Sequence, residues 1–162
     1  MRHWPLLVAV FLLGCAHART QVQRDEDYDF ARLRRVAAVA FNDPKGQGRA
    51  IALAINAQLP GLMHEAVDMD AVQQILEPYK PDRDMGLGLE ALELVRKKTS
   101  ADALILGRMT PDWSAVLVTV VETELGDPVL RAVTKPRDKR KKAFDSVKEI
   151  AAAAMGVIAG QR

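Results

Sequence analysis

The sequence predicts a single α/β domain, a mixed β-sheet of about five strands packed with about four helices. Three observations carry that expectation. Val36-Ala37-Ala38-Val39-Ala40-Phe41 and Asp102-Ala103-Leu104-Ile105-Leu106-Gly107-Arg108 are short apolar runs that read as strands, the first buried on both faces. Apolar residues at helical spacing lie between them, with Ile51, Ile55 and Leu59 recurring every four residues. Two β-rich runs, residues 113–124 and 129–134, are joined by Leu125-Gly126-Asp127-Pro128, the pattern of a hairpin. A chain of 162 residues is in the size range of one domain with a proper core, and the low aromatic content of 5% suits a core built from Ala, Val and Leu.

Taken in order, residues 16–30 are polar and include Asp25-Glu26-Asp27-Tyr28-Asp29. Such a run buries too little apolar surface to offset the entropy of ordering it, so residues 15–31 read as a tether and the folded domain as residues 32–160. The acidic cluster lacks the alternating spacing and the glycine of a calcium loop. Fully extended, fifteen tether residues would span at most about 50 Å.

After the first strand, Lys45-Gly46-Gln47-Gly48-Arg49 leads into the first helix, which Pro60-Gly61 stops. Strand, glycine-bearing loop and helix invite a phosphate-binding reading. The spacing matches neither the P-loop nor the three-glycine dinucleotide fingerprint, so a plain connection is expected. A second short strand covers residues 62–67 and carries His64, the one histidine of the folded part; standing alone, it reads as structural or surface. Asp68 is placed to cap a helix whose Met69, Val72, Ile75 and Leu76 share a face, with Asp70 as its first-turn acid. A third helix runs from Leu87 to about Lys98, its Leu87, Ala91, Leu92, Leu94 and Val95 turned inward. The last helix, from Ala143 to about Ile158, begins amphipathic and becomes apolar all round, which calls for cover by the sheet and by a second subunit if the sheet does not suffice.

Two stretches suggest function. Arg2 followed by an apolar run from Pro5 to Leu13 and then Gly14 has the three parts of a secretory signal over residues 1–14, too short to span a bilayer. Leu12-Leu13-Gly14-Cys15 resembles the bacterial lipobox, in which a peptidase cuts before the cysteine and its sulfur carries a diacylglycerol. Cys15 is the single cysteine of the chain, and acylation accounts for it; no disulfide within the chain and no cysteine-ligated metal can then form. By resemblance to Gram-negative lipoproteins, Ala16 in place of Asp favours the inner face of the outer membrane.

The second stretch is Lys135-Pro136-Arg137-Asp138-Lys139-Arg140-Lys141-Lys142. A solvated loop entering the last helix is its plainer account. As a site, Lys139, Arg140, Lys141 and Lys142 would dock on anionic lipid, a glycan polymer or an acidic partner. Over the whole chain, 23 basic and 21 acidic residues nearly cancel, so no global field recruits nucleic acid.

The opening strand, Val67-Asp68-Met69-Asp70-Ala71-Val72-Gln73-Gln74-Ile75-Leu76-Glu77 and Ser100-Ala101-Asp102-Ala103-Leu104-Ile105-Leu106-Gly107-Arg108 stand in that order. Together they resemble a group of envelope proteins: the curli-secretion channel family CsgG, the amino-terminal domain of TolB, and the LpoB-type activators of penicillin-binding proteins. The resemblance implies a non-enzymatic lipoprotein domain that binds other envelope proteins. It supplies no catalytic motif, metal site or cofactor beyond the covalent lipid on Cys15. The chain departs from the group in lacking two strands suited to a lipid-facing pore, and in its short tether. The resulting expectation is an envelope adaptor or assembly factor. An oligomeric, secretion-associated ring component is the alternative, and an enzyme is disfavoured because no nucleophile, base and acid stand in a recognisable pattern.

Overall fold

The computed structural model describes residues 20–62, 65–79, 86–138 and 140–160. They form one mixed α/β domain. Six strands make a single sheet: β1 (Thr20–Arg24), β2 (Arg35–Ala38), β3 (Glu65–Ala66), β4 (Ala103–Met109), β5 (Val116–Glu122) and β6 (Pro128–Thr134). Their spatial order is β1-β6-β5-β4-β2-β3, with β2 parallel to β3 and β4 and the other pairs antiparallel. The helices among the described residues are α1 (Gly48–Asn56), α2 (Met69–Leu76), α3 (Leu89–Thr99) and α4 (Val147–Ala159).

The pleat divides the core in two. On one face Val36, Ala38, Ile105, Val118, Val120 and Leu130 pack with Ile51 and Ile55 of α1 and with Ile150 and Ala154 of α4. On the other, Ala37, Val39, Leu104, Leu106 and Val121 meet Val72 and Leu76 of α2 and Leu92 and Val95 of α3. The unbroken apolar runs of β2 and β4 are therefore the central strands, covered on both sides. Ile51, Ile55 and Leu59 are all fully buried, as their spacing predicts.

The sheet begins inside the stretch expected to be a tether. Thr20–Arg24 pairs with β6 from Thr20 opposite Thr134 to Arg24 opposite Leu130, and Phe30–Arg32 forms a 3-10 turn capped by the Asp29 carboxylate. Side-chain burial does not hold this segment in place. Gln21 and Gln23 stay exposed, and an edge strand is held by the main-chain ladder on one side, which the identity of its side chains scarcely encodes.

Of the second expected strand, residues 62–67, the described residues show Glu65–Ala66 as strand; Leu62 closes a 3-10 helix that starts at Leu59, and residues 63 and 64 lie outside the described residues. That leaves the outer edge of β2 short of a partner, and two side-chain amides take its place. Asn56 at the end of α1 accepts from Ala38 N at 2.9 Å and donates to Ala38 O at 3.0 Å, while Gln73 of α2 accepts from Ala40 N at 3.3 Å. Buried backbone groups are thereby satisfied where no strand reaches them.

Asp68 caps α2 by accepting from Asp70 N. The last helix starts four residues later than its pattern suggests, at Val147 behind the N-cap Ser146. Its apolar length finds cover within the chain: Ile150, Ala151, Ala153, Ala154, Met155, Val157 and Ile158 are buried, and Ala152 and Gly156 alone of residues 150–158 face solvent. Among the described residues no helix is long and apolar enough to cross a membrane.

Candidate functional site

The two ends of the sheet differ in chemistry. One, here the upper pole, holds the start of β1, the ends of β4 and β6, and the start of β5, with Thr20 opposite Thr134 and Val116 opposite the same residue. The basic segment leaves the sheet there, directly after Thr134. Lys135, Arg137, Arg140 and Lys142 are exposed, whereas Pro136 is buried.

Lys141 does not belong with the exposed set. Its Nζ lies 2.6 Å from Asp145 and 3.3 Å from Glu149, and the hydrogen bonds it donates to those carboxylates hold its ammonium above the ordinary lysine range. Glu149 also accepts from Asp145 N, and Ser146 Oγ accepts from Glu149 N. Lys141 is thus part of the α4 cap rather than of a free patch. The Arg137 guanidinium lies beside Gly156 on α4. Lys139 lies outside the described residues, as do Gly14, Cys15 and His64.

The glycine-bearing loop between β2 and α1 occupies the same pole. The place where an anion would sit at the start of the helix is taken by the chain's own Asp43. Its carboxylate accepts from Lys45 N at 3.2 Å, Gln47 N at 2.6 Å and Trp113 Nε1 at 2.7 Å. Lys45 Nζ lies 3.9 Å above the Trp113 ring, and Trp113 adopts φ 60°, a left-handed conformation that only a firm setting maintains. The loop is a self-satisfied latch, in keeping with the plain connection expected from its spacing. Nearby, Asp70 is less a helix-dipole residue than a partner for Arg49, which donates two hydrogen bonds to it at 2.6 and 3.0 Å. Those bonds hold the Asp70 carboxyl below its ordinary range.

The lower pole, at the Arg24 end of β1, contains a cavity of about 690 Å³, within the size range of small-molecule sites. Tyr28, Phe30, Leu33, Ile105, Val120 and Ile158 line it, and its exposed margin carries Arg24, Asp29, Arg34 and Glu65. Tyr28 and Phe30 meet edge to face with centroids 5.2 Å apart, and the Arg24 guanidinium lies 5.5 Å above the Phe30 ring. Burial, and then the neighbouring Glu122 carboxylate, push the Tyr28 phenol above its ordinary value. Its buried hydroxyl makes no hydrogen bond of good geometry. No residue pattern signals this cavity, since Tyr28 and Phe30 fall in the stretch that reads as a tether.

A third feature is the sheet face that α2 and α3 leave bare. Gln21, Gln23, Arg108, Leu117, Arg131 and Val133 line a shallow groove of about 340 Å³ there, and Arg131 Nε is buried in it without a hydrogen bond. Among the described residues no group of three or more His, Cys, Asp or Glu side chains is placed to hold a metal ion.

No protein-family model matches the chain, and no curated protein matches it. Solved structures similar to it include two of PelC. One is the PelC dodecamer from Paraburkholderia phytofirmans in space group P6, at 14% identity and a TM-score of 0.48, covering 86% of this chain and 96% of that one. The other is a variant of the same dodecamer in space group C2, at 15% identity and a TM-score of 0.47, covering 87% and 94%. At that identity and superposition the likeness assigns neither a family nor a function to this chain.

Proposed function

We propose that this chain is a lipid-anchored, non-enzymatic protein of the bacterial cell envelope, held at the inner face of the outer membrane, that acts as an adaptor or assembly factor through contacts with other proteins. The observation that carries the reading is Leu12-Leu13-Gly14-Cys15, with the chain's single cysteine standing five residues before the first strand. Five residues reach at most about 18 Å even when fully extended. A domain joined by so short a link rides on the membrane surface and engages partners that come to it. The cavity at the lower pole, apolar within and bearing both charges at its margin, suits a segment of another protein. The resemblance to the CsgG, TolB and LpoB group supports the same role, and its Ser100 to Arg108 phrase runs from the C-cap of α3 into β4, a central strand of the sheet.

The test is fractionation of the native chain beside Cys15→Ala, with intact mass measured on the membrane-borne form. The native chain should carry the diacylglyceryl mass and sediment with membranes, and the variant should lose both properties. Recovery of the variant in membranes at the native level would overturn the anchor.

A second reading, a homo-oligomeric ring component, is favoured by the bare sheet face with Leu117, Val133 and the unpartnered Arg131 Nε. Light scattering on the detergent-extracted protein separates the two. A closed assembly of many subunits supports the ring, and a monomer supports the adaptor.

A further inference from the structure

The pairing of Thr20 with Thr134 has a spatial corollary. At that end of the ladder one chain direction leads back toward Cys15 and the other leads on into Lys135 and the basic segment. We propose that this upper pole lies against the anionic phospholipid headgroups of the membrane that holds the anchor, with Lys135, Arg140 and Lys142 as a second, electrostatic attachment. The inference rests on acylation of Cys15.

The geometry leaves little choice of neighbour. From Cys15 to Thr20 the chain spans at most about 18 Å, so a bilayer holding the acyl chains lies within that distance of the strand end from which Lys135 emerges. Lys135, Arg140 and Lys142 are exposed and make no ion pair among the described residues. Of the other cations nearby, Lys141 pairs with Asp145 and Glu149, Lys45 lies over the Trp113 ring and the Arg137 guanidinium lies beside Gly156, while Lys148 in the first turn of α4 is exposed.

The acids at this pole include Asp43, Asp112, Asp138 and Asp145. Asp43 is turned into the latch, Asp145 is paired with Lys141, Asp112 accepts from Ser114 N, and Asp138 accepts from Arg140 N. The exposed cations Lys135, Arg140 and Lys142 are set against Asp112 and Asp138, beside a surface that anionic lipid makes negative. The diacylglyceryl group on Cys15 would itself hold the chain on its membrane, and a short basic patch beside it adds a contact that fixes which pole faces the headgroups.

The experiment uses the acylated protein reconstituted into vesicles of phosphatidylcholine alone or with phosphatidylglycerol at about a third of the lipid. A water-soluble amine-acylating reagent is applied, and the modified lysines are quantified by mass spectrometry. Each cation near such a surface changes the docked population by about fivefold. Modification of Lys135 and Lys142 should therefore slow by about fivefold or more on the anionic vesicles, while Lys97 and Lys98 on α3 react equally on both. The protection should vanish in 1 M salt, where the screening length falls to about 3 Å.

Equal rates at Lys135 and Lys142 on the two vesicle types would overturn the proposal. So would protection that appears only when envelope proteins or peptidoglycan are added, which would reassign the segment to a macromolecular partner. Absence of the diacylglyceryl mass on Cys15 is a separate result and would instead remove the anchor on which the geometry rests.

Discussion

Phe41 is set between two glycines, and replacing one of them tests how tightly the upper pole is built. A Cβ at Gly107 would lie 2.0, 2.2 and 2.4 Å from Cε2, Cδ2 and Cζ of Phe41, where carbon atoms ordinarily meet at about 3.5–4.0 Å. The ring would need to shift by about 1.5 Å to restore that spacing. It has no easy way to do so, because Phe41 N donates to Gly48 O at 3.1 Å, Asn42 N donates to Gly107 O at 2.8 Å, and a Cβ at Gly48 would meet Phe41 O at 1.8 Å. Gly107→Ala should therefore cost about 1–3 kcal/mol, the usual penalty for overpacking a tight core. If the ring were expelled instead, the lost burial would be of similar size, about 1.5–3 kcal/mol.

Urea denaturation followed by circular dichroism reads the loss. With an m-value near 2 kcal/mol per M, the midpoint should fall by roughly 0.5–1.5 M without a change in slope. Phe41→Leu removes Cε2 and Cζ, so Gly107→Ala should cost at least about 0.5 kcal/mol less in that background. A Gly107→Ala variant as stable as the native chain would refute the packing argument, and equal costs in both backgrounds would show that the ring is not the obstacle.

Three further outcomes are expected. Asn56→Ala removes both hydrogen bonds to the buried Ala38 backbone and should cost about 1–3 kcal/mol in the same denaturation assay. Asp43→Ala strips the acceptor from Lys45 N, Gln47 N and Trp113 Nε1, and a loss of about 1–3 kcal/mol is expected by urea titration; no change would mean that Trp113 holds its φ of 60° without the latch. Because Arg49 lowers the Asp70 pKa in the folded chain, that pair stabilises the fold above the unfolded carboxyl value of about 4, and the stabilisation fades as pH falls through the folded value. Asp70→Asn should accordingly melt below the native chain at pH 7 and together with it near pH 2, and a gap that persists at low pH would exclude the ion pair as its cause.

Helix α1 was legible because Ile51, Ile55 and Leu59 repeat at the spacing of one helix face, and β2 and β4 because strands covered on both sides must be apolar throughout. The hairpin of β5 and β6 followed from its turn residues and flanking β-rich runs. The basic segment was visible only as a charge count. In sequence Lys141 is equivalent to Arg140 and Lys142; its pairing with Asp145 and Glu149 depends on how the chain enters α4. Asp70 likewise reads as a helix-dipole residue until α1 and α2 are packed side by side and Arg49 reaches it.

From residue order alone come the mixed α/β class, the apolar centre of the sheet, the Asp68 cap and the resemblance of Leu12-Leu13-Gly14-Cys15 to a lipobox, because each depends on neighbours within a few turns of the chain. Only the tertiary structure enlists Thr20–Arg24 as a sheet edge, substitutes Asn56 and Gln73 for a missing strand, and opens the cavity beside Tyr28 and Phe30. Those features are made by main-chain pairing and by contacts between residues far apart in sequence. An edge strand held by backbone hydrogen bonds on one side imposes almost no pattern on its side chains, so its polar sequence resembled that of a solvated linker.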